Sequence, residues 1–137
     1  MMSGLMLIFL YIAIIMISQI EKDSSISEAI EKFNNIDNKL FLCFASPQDR
    51  ENIKNKFTTL FSKINYKFIK NKEDYEEMLI MSNCAHNIIA NSSFSWWGAW
   101  MNDNPNKIVI YPSVWFGPKL SKHNLKDLCP STWIKLV

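Results

Sequence analysis

The first 20 residues of the chain carry no charge, whereas all 28 charged residues (15 basic and 13 acidic) lie in residues 21–137. Sixteen of the first 20 are hydrophobic, and Leu5–Ile17 is apolar without a break. As a helix, 20 residues span about 30 Å, which is the thickness of the hydrocarbon core of a bilayer. No basic residue precedes the run and no small-residue cleavage site follows it, so the pattern predicts an uncleaved membrane-anchor helix over residues 1–20.

Two other interpretations of this run stay open. It could form a buried helix or a pair of strands in a soluble domain, or it could be a non-native start produced by truncation. An anchor predicts a single-pass membrane protein that contacts the membrane through residues 1–20, whereas the protein would be cytosolic without one.

From residue 21 onward, segments with helical spacing alternate with short apolar runs. The predicted helices begin near residues 25, 46, 73 and 93, and the predicted strands are 40–44, 66–69, 87–90 and 107–111. This alternation predicts an α/β domain over residues 21–137, with a Rossmann-like parallel sheet that has helices on both faces. The tail from residue 113 to 137 predicts loops with a short helix.

Glycine is scarce, and this limits how the chain can hold a nucleotide. The three glycines, Gly4, Gly98 and Gly117, cannot form a dinucleotide fingerprint or a P-loop. The formal net charge of +2 is too small to indicate nucleic-acid binding by bulk electrostatics. The three cysteines have no C-x-x-C spacing, so neither a zinc site nor a disulfide framework is predicted.

A polar turn follows the third predicted strand, where an open parallel sheet binds its ligand. It contains Asn91, Ser92, Ser93 and Ser95 and leads into a short helix. A helix N-terminus offers unpaired N–H donors that suit a phosphate, but serines at such a position also serve as simple helix caps. Both interpretations stay open from the spacing alone. His86, just before the same strand, is either a packed side chain or a catalytic base.

The segment around this turn reads MSNCAHNIIANSSFSWWGAW at residues 81–100. It closely resembles the C-terminal motif of family 11 glycosyltransferases, the α-1,2-fucosyltransferases, and the flanks at 74–78, 104–112 and 115–116 agree with that motif. The resemblance covers roughly residues 25–137. It implies the C-terminal, nucleotide-sugar-binding portion of a GT-B-type enzyme.

Such an enzyme moves fucose from GDP-fucose to the 2-hydroxyl of a terminal galactose, with inversion and without a metal or other cofactor. Its partners are the nucleotide-sugar donor and a galactose-terminated glycan. The resemblance implies that Asn91, Ser92, Ser93, Phe94 and Ser95 contact the donor diphosphate. If the organism is eukaryotic, it also implies a type II Golgi arrangement.

The chain departs from the family pattern in two places. The sequence contains no His-x-Arg-Arg-x-Asp motif, and its one arginine is Arg50. The acidic pair that usually follows the first of these strands is replaced by a segment in which only Asp49 is acidic, so Asp49 and His86 are the candidate nucleoside contacts. These departures predict a fragment or truncated family member. The alternative is a catalytically inactive, membrane-anchored binding module.

Overall fold

The computed structural model of the chain describes residues 10–15, 28–56, 58–113, 115 and 126–136. The strands are β1 (Leu10–Ile15), β2 (Lys39–Phe44), β3 (Tyr66–Phe68), β4 (His86–Ile88), β5 (Val109–Tyr111) and β6 (Ile134–Lys135). The helices are α1 (Pro47–Lys56), α2 (Thr58–Phe61), α3 (Asp74–Ser82) and α4 (Ser93–Trp100), and residues 28–31 are also helical.

All six strands are parallel and form one sheet in the order β3-β2-β1-β4-β5-β6. This strand order is typical of a doubly wound sheet, in which the two halves of the sheet meet between the first and fourth strands. The predicted alternation of helices with parallel strands is therefore confirmed. β1 lies at the centre and pairs with β2 on one side and with β4 on the other.

The predicted apolar helix ahead of the domain is wrong, because Leu10–Ile15 form β1 in the same sheet as the following strands. Central strands of parallel sheets are usually covered on both faces and so have unbroken apolar sequences. Periodicity alone does not separate such a strand from a buried helix. The rest of the predicted helix, residues 1–9 and 16–20, lies outside the described residues.

The predicted single-pass membrane location needs the same correction. Across the portion of the chain that the structure describes, no helix is both long enough and apolar enough to cross a membrane. The predicted single-pass location is therefore wrong, and the predicted membrane contact through residues 1–20 is not supported.

The side chains of β2 alternate between two apolar layers. Phe41 and Cys43 pack with the residues of α1, α2 and the helical segment at 28–31, in a cluster that includes Ile53. Leu42 and Phe44 pack with Met81 of α3 on the other face. A third cluster on that face joins α4 to β5 and to the segment before β6. The sheet thus has helices on both faces, as predicted.

Two details differ from the predicted elements. The single helix predicted to begin near residue 46 is two helices, α1 and α2. The tail, predicted as loops with a short helix, contributes β6, which pairs with β5 through Ile110↔Ile134. A two-residue strand leaves no periodic pattern in a sequence, so only its pairing partner defines it.

Candidate functional site

The carboxyl ends of β1, β2 and β4 lie side by side at one edge of the sheet. Ile15 pairs with Phe44, and Ile14 pairs with Ile88. In open parallel sheets the ligand binds in the crevice beyond the strand ends where the two halves meet, which is here between β1 and β4. The segment after β4 leads directly from this point into α4.

Ser92 and Ser95 build the N-terminus of α4. Ser92 has an extended backbone, and its Oγ accepts a hydrogen bond from the Ser95 amide at 3.1 Å, so it is the N-cap. The buried Ser95 hydroxyl has the carbonyl of Ala90 at 3.1 Å and the carbonyl of Ser92 at 3.0 Å as acceptors. Both hydroxyls are therefore occupied within the turn, which supports the capping interpretation for these two serines.

Ser93 and Phe94 leave hydrogen-bonding capacity open at the same helix end. No described residue accepts a hydrogen bond from either backbone amide, and none bonds the exposed Ser93 hydroxyl. Unpaired amides at the positive end of a helix dipole are suited to an anion. Asn91 faces elsewhere, because its Nδ2 donates to the Trp115 carbonyl at 3.1 Å.

An open cleft of about 600 Å³ adjoins this helix end. Phe94, the second residue of α4, lies in its wall, so the cleft reaches the first turn of this helix. The other walls come from the end of β2, from the segments that follow β2 and β3, from the first turn of α1 and from α3. The lining residues are Phe44, Ala45, Ser46, Pro47, Arg50, Asn71, Lys72, Asp74, Glu77, Met81 and Phe94.

Charged groups of both signs face each other in the cleft. Burial raises the pKa of the Glu77 carboxyl above its ordinary value, the Asp74 carboxylate raises this pKa further, and the Arg50 guanidinium lowers it. Arg50 Nη2 donates to the Ile69 carbonyl at 3.2 Å, and Arg50 Nε is buried without a partner among the described residues. A perturbed carboxyl beside a cation in a cleft is typical of a functional site.

Asp49 and His86 lie outside this cleft. Asp49 is in the first turn of α1, where its Oδ2 accepts a hydrogen bond from Ser46 Oγ at 2.8 Å. His86 begins β4 and so lies at the amino end of that strand, away from the helix terminus. It is buried, and its Nδ1 accepts a hydrogen bond from the Ile108 amide at 2.9 Å. Burial lowers the pKa of His86, which is consistent with a packed neutral side chain.

Sequence reasoning missed Arg50, Asp74 and Glu77 as site residues. The acidic residues of α3 stand out in the sequence only as partners of the helix dipole, and Glu73 and Glu76 indeed form the capping box. Glu77 is separated by 27 positions from Arg50, and only the β2-β3 pairing brings the two helices to the same edge. Nowhere in the described ranges do three metal-ligating side chains form a group that could hold an ion.

Comparisons with known proteins agree with this architecture. Residues 13–136 match the family described as Glycosyl transferase family 11. The chain is similar to an alpha-1,2-colitosyltransferase of Escherichia coli, with 38% identity over 107 residues, and to the O-antigen biosynthesis glycosyltransferase WbnK of Escherichia coli, with 42% identity over 81 residues. The alignments cover 77% and 57% of this chain but only 34% and 26% of those relatives.

The chain therefore spans about a third or less of the curated relatives that it matches. No solved structure matches it. The family match begins within β1 and ends at Leu136, so it includes the second half of the central strand, the polar turn and the cleft. The chain belongs to glycosyl transferase family 11.

Proposed function

We propose that this chain is the nucleotide-sugar-binding portion of a GT-B-type α-1,2-fucosyltransferase, which transfers fucose from GDP-fucose to the 2-hydroxyl of a terminal galactose. The observation that carries the proposal is the pair of open amides on Ser93 and Phe94, at the edge of the sheet where ligands bind. Membership of the family and the similarity to a colitosyltransferase support glycosyl transfer.

The diphosphate binds at the N-terminus of α4. The amides of Ser93 and Phe94 donate to phosphate oxygens, and the Ser93 hydroxyl adds a third donor. Ser92 and Ser95 fix the turn through their own hydrogen bonds, so the two amides are held in place before the ligand arrives. Asn91 holds the loop that contains Trp115 beside the site.

Binding of the diphosphate at the N-terminus of α4 also assists the chemical step. When the bond between the sugar C1 and the phosphate oxygen breaks, negative charge grows on the departing diphosphate. Donors fixed at a helix N-terminus stabilise that charge without reorganising, and preorganised electrostatics of this kind often contributes more to catalysis than any other effect. The turn contains no glycine, and serine capping fixes the amides that donate to the diphosphate. In other nucleotide-binding proteins a glycine-rich loop supplies such amides.

The nucleoside binds in the adjoining cleft. Glu77 and Asp74 present carboxylates, which are acceptor-only groups when ionised and match the paired N–H donors on the edge of guanine. Phe94 provides an apolar surface next to the diphosphate, and Arg50 and Lys72 balance the negative charge of the ligand. Asp49 and His86 have no place in this arrangement.

Two variants of one residue test the diphosphate site. Ser93→Pro removes the open amide at the first helical position, where proline is well tolerated, and the extended backbone of Ser92 suits a following proline. Ser93→Ala keeps the amide and removes only the hydroxyl. Since a hydrogen bond to a charged group contributes about 1.5–3 kcal/mol, we expect Ser93→Pro to weaken GDP binding about tenfold or more by calorimetry. Equal affinities of the two variants, or no binding of GDP by the original chain, would refute the site.

A third variant tests the nucleoside. Glu77→Gln keeps the shape of the side chain and removes its charge, so we expect the preference for GDP over UDP to fall at least tenfold. An unchanged preference would show that the guanine base binds elsewhere.

Competition between GDP-fucose and GDP-colitose identifies the sugar, and stronger binding of GDP-colitose would replace fucose in the proposal. In a family 11 chain of full length that carries this portion, binding of GDP-fucose without release of GDP in the presence of a galactoside would favour an inactive binding module.

A further inference from the structure

The Arg50 guanidinium is held at the end of β3 by the backbone. Its Nη2 donates to the Ile69 carbonyl at 3.2 Å. Ile69 directly follows β3, and its own amide donates to the Cys43 carbonyl of β2 at 3.0 Å, so the carbonyl that holds Arg50 belongs to a fixed part of the sheet. Because the guanidinium is planar, fixing one of its nitrogens also restricts the directions of the other N–H groups.

The same guanidinium has donors that no described residue uses. Nε is buried without a partner there, and no hydrogen bond joins Nη1 to a described acceptor. In the described ranges the only ion pair joins Lys54 to Glu51, so Arg50 has no carboxylate partner within them. A buried donor without a partner costs free energy, and natural chains tolerate such costs mainly at functional sites. Since Arg50 lines the cleft, its unused donors point to an acceptor that a ligand supplies.

Glu77 lies near Arg50 in the cleft wall, but the two side chains form no ion pair. Burial and the Asp74 carboxylate raise the pKa of the Glu77 carboxyl, and the Arg50 guanidinium lowers it, so these charges are within electrostatic reach of one another. A carboxylate only accepts hydrogen bonds and a guanidinium only donates them. The pair therefore complements a ligand edge on which acceptors stand beside donors.

We propose that Arg50 determines specificity for guanine, by donating to O6 and N7 of the base while Glu77 accepts from N1–H and the 2-amino group. This inference rests on the proposed function, which supplies the guanine nucleotide. The donors are the N–H groups of Nη1 and the second N–H of Nη2. A bidentate contact from arginine to O6 and N7 is the commonest specific contact that proteins make to guanine. Adenine has an amino group in place of O6, and that donor would face the donors of Arg50.

The position of Arg50 favours the base over the diphosphate as its partner. Its anchor at Ile69 follows β3, whereas the open amides of α4 follow β4. β2 and β1 separate these two strands, so their ends are roughly 14 Å apart at about 4.8 Å per strand spacing. A phosphate bound at α4 is therefore beyond hydrogen-bonding distance of a guanidinium tied to Ile69. The base is the part of a nucleotide that lies farthest from the diphosphate.

The cleft also has the size and the apolar surface that a purine ring needs. Its volume of about 600 Å³ lies within the range of about 300–1,000 Å³ that is usual for ligand pockets. Ala45, Pro47 and Phe94 supply apolar wall beside the charged groups. Lys72 is a second cation of the wall, but an ammonium is a point charge without the planar fork that contacts two acceptors at once.

Guanine analogues that differ at single positions test the proposal by calorimetry. In 6-thio-GDP sulfur, a weak acceptor, replaces O6, 7-deaza-GDP lacks N7, and inosine diphosphate lacks the 2-amino group. We expect the original chain to prefer GDP to the first two analogues by about fivefold or more each. Arg50→Lys, which keeps the charge, and Arg50→Met, which removes it, should both abolish these two preferences and keep the preference over inosine diphosphate. Glu77→Gln should have the opposite effect.

Lys72→Met is the matched control, because it removes a positive charge from the same wall and should weaken GDP and all three analogues by one common factor. Thermal melting shows whether each variant is folded. Folded Arg50 variants that still prefer GDP to 6-thio-GDP and 7-deaza-GDP would overturn the proposal. A common loss of affinity for all four nucleotides would do the same, because Arg50 would then bind the diphosphate.

The analogue preferences of the original chain are a test that needs no variant. A chain that binds GDP, 6-thio-GDP and 7-deaza-GDP equally would refute the role of Arg50 and leave the proposed function intact. A chain that binds none of these guanine nucleotides would refute both.

Discussion

Gly98 of α4 lies in close contact with Met81 of α3, and replacing it by alanine tests how closely the two helices pack. The added Cβ would lie 2.9 Å from both the Cβ and the Sδ of Met81, which is closer than such atoms approach in proteins. The sulfur can move by rotation of the methionine side chain. The Cβ is fixed to the backbone of α3, so relief requires the two helices to separate.

The expected cost follows from two opposing effects. Overpacking a well-packed core by one methyl group costs about 1–3 kcal/mol. Alanine is favoured over glycine inside a helix by about 1 kcal/mol, which offsets part of that cost. We therefore expect Gly98→Ala to lower the free energy of unfolding by up to about 2 kcal/mol. Gly98→Val should lower it further.

Urea denaturation of the original chain and of both variants measures these differences. Met81→Ala provides the coupling test, since it removes the sulfur and keeps the Cβ. We expect it to relieve only part of the Gly98→Ala effect in a double-mutant cycle. If Gly98→Ala makes the chain more stable, helix propensity dominates, and the reasoning from close contact between α3 and α4 is refuted. Full relief by Met81→Ala would show that the sulfur alone causes the clash.

Three further predictions concern single side chains. Ser92→Ala removes the oxygen that accepts a hydrogen bond from the Ser95 amide, so we expect the free energy of unfolding measured in urea to fall by about 1 kcal/mol. Ser92→Asp should be close to the original chain in stability. An alanine variant of unchanged stability would argue against the cap. Lys107→Met removes the ammonium that donates to the Ala99 carbonyl at the end of α4, so the free energy of unfolding should fall by about 1–2 kcal/mol in the same assay. An unchanged free energy of unfolding would mean that water replaces the ammonium. Burial lowers the pKa of His86 below its ordinary 6.5, so between these two pKa values the unfolded chain binds a proton that the folded chain does not. Stability that is present above about pH 6.5 should therefore be lost as the pH falls through that value toward the lower folded pKa. The urea midpoint should depend less on pH in His86→Gln, and an identical pH profile would contradict the role of burial.

The sequence predicted those strands whose apolar runs are bounded by polar residues, such as β2 at Lys39–Phe44. The prediction from the sequence was wrong at β1, because a central strand and a buried helix can both have an unbroken apolar sequence. The information that separates them is not local, since the β2 and β4 partners of β1 begin at residues 39 and 86. β6 is defined in the same non-local way, by its pairing with β5.

The part of the candidate site that can be predicted from the sequence is the part whose geometry is local. A polar turn between a strand and a helix is visible in the sequence, and the cap formed by Ser92 follows from its spacing to Ser95. The cleft could not be predicted in this way, because Arg50 and Glu77 reach it from different helices. His86 begins its strand, whereas ligands of open parallel sheets bind at the other end, so its suggested role finds no support in this geometry and stays a prediction.

The position of β1 determines which shortened forms of the chain can fold. It is the strand that joins the β2-β3 pair to the β4-β5-β6 group, because neither β2 nor β3 pairs with β4. A chain cut after Ile15 would therefore consist of two separate small sheets. Each would present a newly unpaired strand edge of the kind that promotes aggregation, β2 in one and β4 in the other. Expression trials that trim the apolar N-terminus to improve solubility should consequently yield less soluble protein, not more.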